Sequence, residues 1–420
     1  MALKRQLNAV VNRMPIIRKL IMITLVEPQF TDGEEHAVED VSRVSKDLMD
    51  VLSSRGDGVA RAPGLLITNE DVRRIRRYVS TGLALPTALN EVSQLTGGID
   101  NAIPGLGPDA IAELHVGIQA HARSWSAIET NMQKVGGDLY VFSGNLITIA
   151  TNVVDFIKGL ESYQTLQVGD LTPAQIDQMP PAALTGQDSK KIPGLLALVD
   201  DLKIHIKDHS ASTTRTRVGV TDFKRRLKEE IAPGVALKIR LARSGSASDE
   251  IAKLTADVDQ LNNRINQKLA EYEEYSEYKW IGFWWGPIGG ALSYSIYGLK
   301  ASAALSEKDR LIEEKRQVEL TLKKQNRLLG DLLAFETSLQ DLKTRIDGAA
   351  SGVSNIESLW VLLEELVESS YDRIKNTNNA VYLVSFVSRF QTLMSNWKEI
   401  QVQSFDLLTA FNKTLEEPAA

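Results

Sequence analysis

The stretch KWIGFWWGPIGGALSYSIYGLK, at positions 279–300, decides how this chain folds. The twenty residues between its two lysines carry no charge, and aromatic side chains crowd into their first half. Trp and Tyr favour the boundary between water and lipid, because each joins an apolar ring to a hydrogen-bonding group. We therefore predict that this segment, called the foot (280–299), contacts a membrane.

Ten side chains of the foot are predicted to touch lipid. They are Trp280, Ile281, Phe283, Trp284, Trp285, Ile288, Leu292, Tyr294, Ile296 and Tyr297. Burying four large aromatic side chains at about 150–250 Å² each would contribute at most roughly 15–25 kcal/mol, before ordering and dehydration are subtracted. Acidic residues precede the foot, so apolar burial is the expected driving force, and not attraction to anionic lipid.

The centre of the foot favours a reversal of the chain over a straight transmembrane helix. The sequence GPIGG occupies 286–290, and the predicted turn residues are Gly286, Pro287, Gly289 and Gly290. Each half would then form about ten residues of helix, roughly 15 Å long, against about 30 Å of hydrocarbon. The foot is thus predicted to enter one leaflet without crossing both.

Heptad patterns flank the foot and predict a coiled-coil stalk. SGSAS at 244–248 breaks the chain, after which Asp249 and Glu250 supply the acidic first turn of a new helix. The apolar positions are Ile251, Leu254, Val258, Leu261 and Ile265 going out, and Leu311, Val318, Leu322, Leu329, Leu332, Leu339 and Ile346 coming back. Both arms are otherwise rich in charge, which is typical of a thin antiparallel hairpin exposed to water. The 244–248 linker and the 286–290 turn are the predicted hinges.

The rest of the chain predicts an all-α, elongated bundle of long helices. The clearest seam lies in 109–160, where apolar residues recur at alternating spacings of four and three, and a similar seam lies in 383–411. Further helices are expected at 34–54, 69–95 and 195–231, separated by loops rich in glycine and proline.

These patterns divide the chain into three parts. Residues 1–244 are expected to form the first part of the bundle, and 245–350 the stalk with its foot. Residues 351–420 are expected to form a long helix that returns to the bundle.

Composition excludes several classes of function. The net charge is −6 with acids and bases interspersed, so no basic face is offered to nucleic acid. The absence of cysteine removes disulfides, thiol catalysis and cysteine-based metal sites. His205 and His209 have the i, i+4 spacing of a metal pair, but no third ligand follows, and His121 falls in the seam as a core histidine. We expect no enzymatic activity, no cofactor and no metal.

Long helical rods and a hydrophobic hairpin tip on a coiled-coil stalk resemble the cytolysin A superfamily of α-helical pore-forming toxins. Within it, length and layout are similar to the larger, XaxA/YaxA-like component of the binary α-xenorhabdolysin-type cytotoxins. The resemblance is carried by the sequence from Lys279 to Gly290, by its two arms and by the long helices on either side. It covers most of the chain.

This resemblance implies a soluble, secreted protein that lyses host cells by converting to a membrane-bound oligomer with a smaller B subunit. Its partners would be the B subunit, the lipid membrane of the target cell and further copies in the pore. Residues 1–27 begin basic but contain no standard secretory signal, so secretion would need another route.

Three alternatives remain open at this point. The foot could be a hydrophobic loop packed into the protein's own bundle or into an oligomer contact. The chain could be a single-component toxin of the same superfamily, which would permeabilise vesicles alone. It could also be a cytoplasmic coiled-coil adaptor whose aromatic tip docks into a groove on another protein.

Overall fold

The computed structural model describes residues 37–55, 63–95, 103–169, 171–244, 248–284 and 287–417, and within 275–299 it describes the backbone only. These residues form twelve α-helices and one π-helical turn. Among them, β-structure is limited to an isolated bridge between Ala183 and Asn379. The predicted all-α class is confirmed.

The helices differ greatly in length, and four of them exceed 38 residues. In chain order they are α1 (Ala37–Leu52), α2 (Asn69–Leu83), α3 (Leu89–Leu95), α4 (Pro108–Lys158), α5 (Glu161–Thr165), α6 (Pro173–Ile176), α7 (Gly186–Arg226), α8 (Ala232–Ser244), α9 (Asp249–Trp284), α10 (Pro287–Gln325), α11 (Arg327–Asn376) and α12 (Ala380–Glu416). The π-helical turn Leu227–Ile231 joins α7 to α8.

The bundle is built from α4, α7, α11 and α12. Helix α4 packs against both α7 and α12, α7 packs against α11, and α1 packs on α12. One aromatic group links all four: the ring of Phe142 lies edge-on to Trp360 and Trp397, with ring centroids 4.9 and 5.4 Å apart. The indole N–H of Trp360 donates to the hydroxyl of Thr213 on α7 at 2.8 Å, so that this buried donor is paired.

Both predicted seams are confirmed. Every seventh residue from Ile118 to Leu160 is buried, because α4 turns that stripe toward the bundle interior. On α12 the apolar residues of the predicted seam from Leu383 to Leu407 are buried as well, and its polar exception, Ser404, donates to the Ile400 carbonyl.

Helix α2 is fixed at its start by a capping box. The hydroxyl of Thr68 accepts the N–H of Asp71, and the Asp71 carboxylate accepts the N–H of Thr68. Farther along, the Tyr78 hydroxyl donates to Nδ1 of His121, whose Nε2–H donates to the Phe223 carbonyl at 3.0 Å. Burial lowers the pKa of His121, against the bond to Phe223, which raises it. His121 is therefore a paired core histidine, as predicted.

Two predicted helices end or divide differently in the structure. The helix expected at 69–95 is two helices, because Pro86 lies between α2 and α3 and cannot donate to a helical ladder. The helix expected to stop at 231 continues to Ser244, although Pro233 lies in its path. The N–H of Ala232 bonds to the carbonyl of Leu227 in the π-helical turn, which re-registers the backbone just before the proline.

The returning arm, predicted from one heptad series over 311–346, comprises parts of two antiparallel helices. Helix α10 ends at Gln325, and the side chain of Asn326 accepts the N–H of Leu329 to start α11. Helix α11 continues through residue 350 to Asn376, and the chain reverses again before α12. The segment 351–420 thus contains the end of one long helix and the whole of another.

Gly352 of α11 generates a test of the packing. A Cβ on Gly352 would lie 2.0 Å from the carbonyl oxygen of Leu66, in the backbone that leads into α2. Gly352→Ala should therefore lower the free energy of unfolding by about 1–3 kcal/mol, measured by urea unfolding followed by circular dichroism.

Gly348, one turn earlier on the same helix, is the matched control. A Cβ there meets nothing within 4 Å, so Gly348→Ala should raise the free energy of unfolding by about 0.5–1 kcal/mol through helix propensity. Equal effects of the two substitutions would contradict the described contact between α11 and Leu66.

Candidate membrane-binding stalk and foot

Helices α9 and α10 lie side by side and run in opposite directions. Gln325 donates to Glu250 at 3.3 Å, and Arg264 pairs with Glu314 at 3.8 Å. Each step forward along α9 is thus matched by a step back along α10. The predicted antiparallel pairing of the arms is confirmed, and the chain reverses where α9 ends and α10 begins.

The stalk has an apolar core of its own. Leu261 and Ile265 of α9 pack with Leu311 and Ile312 of α10 in a cluster that is separate from the bundle core. Nearer the base, Val258 and Leu322 belong to the bundle core instead. The a/d pattern therefore predicted three of these four residues, and Ile312 was not among its positions.

The arms are less exposed to water than their charge predicted. Lys308 and Lys315 of α10 are 0% exposed, and Glu319 is 2% exposed. The cause is α11, which begins immediately after α10 and runs back beside it. Helix α10 thus has two buried faces, one toward α9 and one toward α11.

A buried set of charges, called the ionic layer, lies where α10 meets α11 and the start of α2. It comprises Asp71, Arg74, Lys308, Asp309, Asp341 and Arg345. Nζ of Lys308 lies 2.7 Å from Oδ1 of Asp341, and Arg345 donates to both carboxylate oxygens of Asp309 at 2.8 and 2.9 Å. Arg345 also donates to Asp71 at 2.9 Å, so α2 is tied to the same group. Three cations face three anions, and Arg74 also pairs with Glu70 at 2.7 Å.

The electrostatic balance of the ionic layer favours the charged state. Burial raises the pKa of the Asp341 carboxyl, yet the charges of Lys308 and Arg345 outweigh burial and hold that pKa at about 2. Asp341 therefore stays ionised at neutral pH beside its cationic neighbours.

A second buried polar group, called the Lys315 site, lies nearer the base between the same helices. It contains Lys315 and Glu319 of α10 and Glu336 and Thr337 of α11. Nζ of Lys315 is 3.6 Å from Glu319 and 3.8 Å from Glu336, and Thr337 donates to Glu319. Burial lowers the pKa of Lys315 and raises that of Glu319, so desolvation outweighs attraction in this pair.

The structure places the foot at the far end of the stalk. Residues 280–284 form the end of α9, and 287–299 form the beginning of α10. The side chains of Trp280, Ile281, Phe283, Trp284, Ile288, Leu292, Tyr294, Ile296 and Tyr297 lie outside the described part of the structure, as do Trp285 and Gly286 altogether. Their contact with lipid stays a prediction.

The two predicted hinges are described in part. Pro287 is the first residue of α10, a position that suits its fixed φ, and Gly289 and Gly290 already have helical backbone. Gly289 and Gly290 of the predicted turn therefore lie within α10. At the other hinge α8 ends at Ser244 and α9 begins at Asp249, while 245–247 lie outside the described residues.

No family model matches the sequence, and no curated protein matches it. Solved structures do match. HblL1, a toxin component from Bacillus cereus, aligns with a TM-score of 0.53 and 14% identity over 84% of this chain and 98% of its own. Soluble SmhA, from the tripartite α-pore-forming toxin Smh of Serratia marcescens, aligns with a TM-score of 0.50 and 13% identity, over 92% and 95% of the two chains. This chain has the fold of the α-helical pore-forming toxins.

A structure of YaxA from Yersinia enterocolitica is also similar to this toxin fold. It aligns with a TM-score of 0.47 and 26% identity, over 83% of this chain and 98% of that one. YaxA is of the type that the sequence resembles. HblL1 and SmhA confirm that the fold is that of the α-helical pore-forming toxins. HblL1 and SmhA belong to pore-forming or related toxins, in agreement with the expectation that the chain is not an enzyme.

One described helix of the toxin fold, α4, contains a stretch long and apolar enough to cross a membrane by length and composition. Its seam is buried in the bundle, where α7 and α12 pack on either side. A core helix of a water-soluble bundle meets the same criterion, so α4 adds nothing to the membrane assignment of the foot.

Of the predicted histidine pair, His209 packs against the bundle. Nδ1 of His209 lies 3.6 Å from Asp138, and its ring stacks on Trp360. Burial lowers the pKa of His209. Among the described residues, no group of three or more His, Asp or Glu side chains is placed to hold a metal ion.

The sequence reasoning missed the ionic layer and the Lys315 site. A signal was present: Lys308, Lys315 and Leu322 recur every seven residues, which is the spacing of a second seam on α10. Lysine at such a position is normally taken as solvated, and only the return of α11 shows that it is buried.

Proposed function

We propose that this chain is the membrane-binding component of a two-component α-helical pore-forming toxin. It is soluble until its foot meets the target membrane, and it then assembles with a smaller B subunit into a lytic pore. The antiparallel pairing of α9 with α10 carries the proposal, because it puts the uncharged foot at the end of a stalk. The toxin fold of the whole chain supports it.

The length of the foot suits one leaflet. Residues 287–299 are the thirteen uncharged residues at the start of α10, which make about 20 Å of helix. A bilayer has about 30 Å of hydrocarbon, so neither limb of the foot crosses it. Lys279 and Lys300 bracket the foot, and their long side chains can keep their charges at the headgroups.

The driving force is the burial of aromatic rings. Anionic lipid is a poor attractant, because Glu271 and Glu274 precede the foot on α9 and the chain as a whole is acidic. Zwitterionic vesicles should therefore suffice for binding.

Replacing the four large aromatic residues at the tip should abolish membrane binding. The variant Trp280→Ser/Phe283→Ser/Trp284→Ser/Trp285→Ser removes most of the apolar area that lipid would bury. In flotation with phosphatidylcholine vesicles we expect its recovery in the lipid fraction to fall at least tenfold below that of the wild type.

The matched control removes exposed apolar side chains from the bundle. Val402 and Phe405 of α12 are 57% and 51% exposed, and Val402→Ser/Phe405→Ser should float like the wild type. The foot variant should also keep the wild-type unfolding curve. Equal recovery of the foot variant and the wild type would reject the foot as the membrane anchor.

A lysis assay decides between one and two components. The proposal predicts that the purified chain binds red cells without lysing them, and that lysis begins when the smaller B subunit, tested as the product of the neighbouring gene, is added. Lysis by this chain alone would show a single-component toxin. Absence of both lysis and vesicle binding would favour the adaptor.

The proposed sites of action follow from the same account. The protein would be secreted, and it would act at the host cell membrane as part of a mixed oligomer. Self-association or association with the B subunit would follow binding, because the foot alone does not span the bilayer.

A further inference from the structure

The stalk contacts the bundle mainly through α10. Helix α10 packs along α11, whereas α9 packs on α10. At the base of the stalk the apolar residues of both arms join the bundle core. Farther out, the cluster of Leu261, Ile265, Leu311 and Ile312 has no share in that core. The stalk and the bundle therefore have separate clusters of buried apolar residues beyond the base, and the partly buried Val318 packs against both.

Charges fill the space between those two clusters. The ionic layer and the Lys315 site both lie between α10 and α11, and Lys308 and Lys315 are completely buried there. Arg345, on the α11 side, is 3% exposed and reaches Asp309 on the α10 side. Beyond the base, α10 and α11 are joined at these positions by ion pairs and by hydrogen bonds from Thr337 to Glu319 and from Lys315 to Gln340.

An ionic contact and an apolar contact of the same area respond differently to opening. Separating apolar faces exposes them to water, with a free-energy cost proportional to their area. Separating buried ion pairs returns each charge to water, and this hydration offsets most of the lost attraction. A stalk held by ions can therefore leave the bundle more easily than one held by leucines.

The base of the α10–α11 hairpin is built differently. A Cβ on Gly330 would lie 2.5 Å from Cα of Lys323 and 2.7 Å from its N, so the two backbones are in direct contact there. Leu322 and Leu329 on either side are fully buried in the bundle core. This end is fixed, and it can act as a pivot.

We propose that the ionic layer is a releasable contact. When the foot binds lipid, the stalk separates from α11 at this layer by turning about the base of the α10–α11 hairpin. Only the trigger rests on the proposed function; the release itself is a property of the contact between α10 and α11. Asp71 and Arg74 of α2 pair with Arg345 and Asp341 on the α11 side of this contact, so α2 stays with the bundle when the stalk parts from it.

The separation can be measured with two spin labels. The chain has no cysteine, so Asn266→Cys on α9 and Ser351→Cys on α11 give two exposed attachment sites. Double electron–electron resonance then reports the distance between stalk and bundle. In buffer the closed distance should dominate, and phosphatidylcholine vesicles should produce a second, longer distance.

Two variants change the ionic layer in opposite ways. Lys308→Met/Asp341→Leu replaces one buried pair by apolar side chains and leaves Arg345 with Asp71 and Asp309. Such replacements usually preserve or raise stability, so its thermal unfolding should occur at or above the wild-type temperature. Asp341→Asn instead leaves Lys308 and Arg345 with one shared carboxylate, that of Asp309, where the wild type has two.

In the double variant the fraction of molecules that show the longer distance with vesicles should fall at least tenfold, because an apolar contact now holds the stalk. Asp341→Asn should show the longer distance in buffer, without any lipid. The matched control, Lys323→Met/Asp331→Leu, removes an exposed ion pair between the same two helices at the fixed base and should behave like the wild type.

The outcomes separate this proposal from the proposed function. If the wild type floats with vesicles but shows only the closed distance, the release proposal is overturned and membrane binding by the foot still stands. A double variant that opens like the wild type, or Asp341→Asn that stays closed in buffer, would also overturn it. If the wild type fails to float while Asp341→Asn opens in buffer, release stands and lipid is not its trigger.

Discussion

The antiparallel pairing of α9 with α10 is the constraint on which the rest of the structure depends. Their facing apolar residues, such as Ile265 and Leu311, require the chain to reverse in the middle of its longest uncharged segment. That reversal changes what the segment can do: twenty uncharged residues are long enough to cross a bilayer once, but as two limbs they reach only one leaflet. The same pairing carries the foot to the end of a rod.

Two kinds of contact then divide the molecule. The bundle of α4, α7, α11 and α12 is closed by large buried aromatics, among them Trp360 and Trp397, and each of these contacts would cost much to open. The stalk is held to that bundle beyond its base by paired charges. A toxin that must be soluble first and membrane-bound later benefits from this division, because the permanent part and the releasable part use different interactions.

The fold could be predicted from the sequence wherever apolar periodicity determines structure. The seams of α4 and α12 and the pairing of the arms follow from spacings of three and four residues. The turn at Asn326 could not be predicted in this way, because Leu322 and Leu329 are seven residues apart across it and imitate a continuous helix. The burial of Lys308 and Asp341 could not be predicted for a related reason, since a charged residue is assigned to the surface until the packing of a third helix is known. The foot itself was found by composition, and its side-chain contacts with lipid remain predicted.

The depth of the foot in lipid tests the central claim most directly. Three of the six tryptophans, Trp125, Trp360 and Trp397, are buried in the bundle, and the other three, at 280, 284 and 285, lie in the foot. Tryptophan fluorescence should be measured in vesicles whose lipids carry a bromine quencher either near the headgroup or near the bilayer centre. A foot inserted into one leaflet predicts quenching of its tryptophans by brominated lipid, with the bundle tryptophans unaffected. Equal fluorescence with brominated and unbrominated lipid would contradict the account, because the aromatic foot would then not be in the membrane.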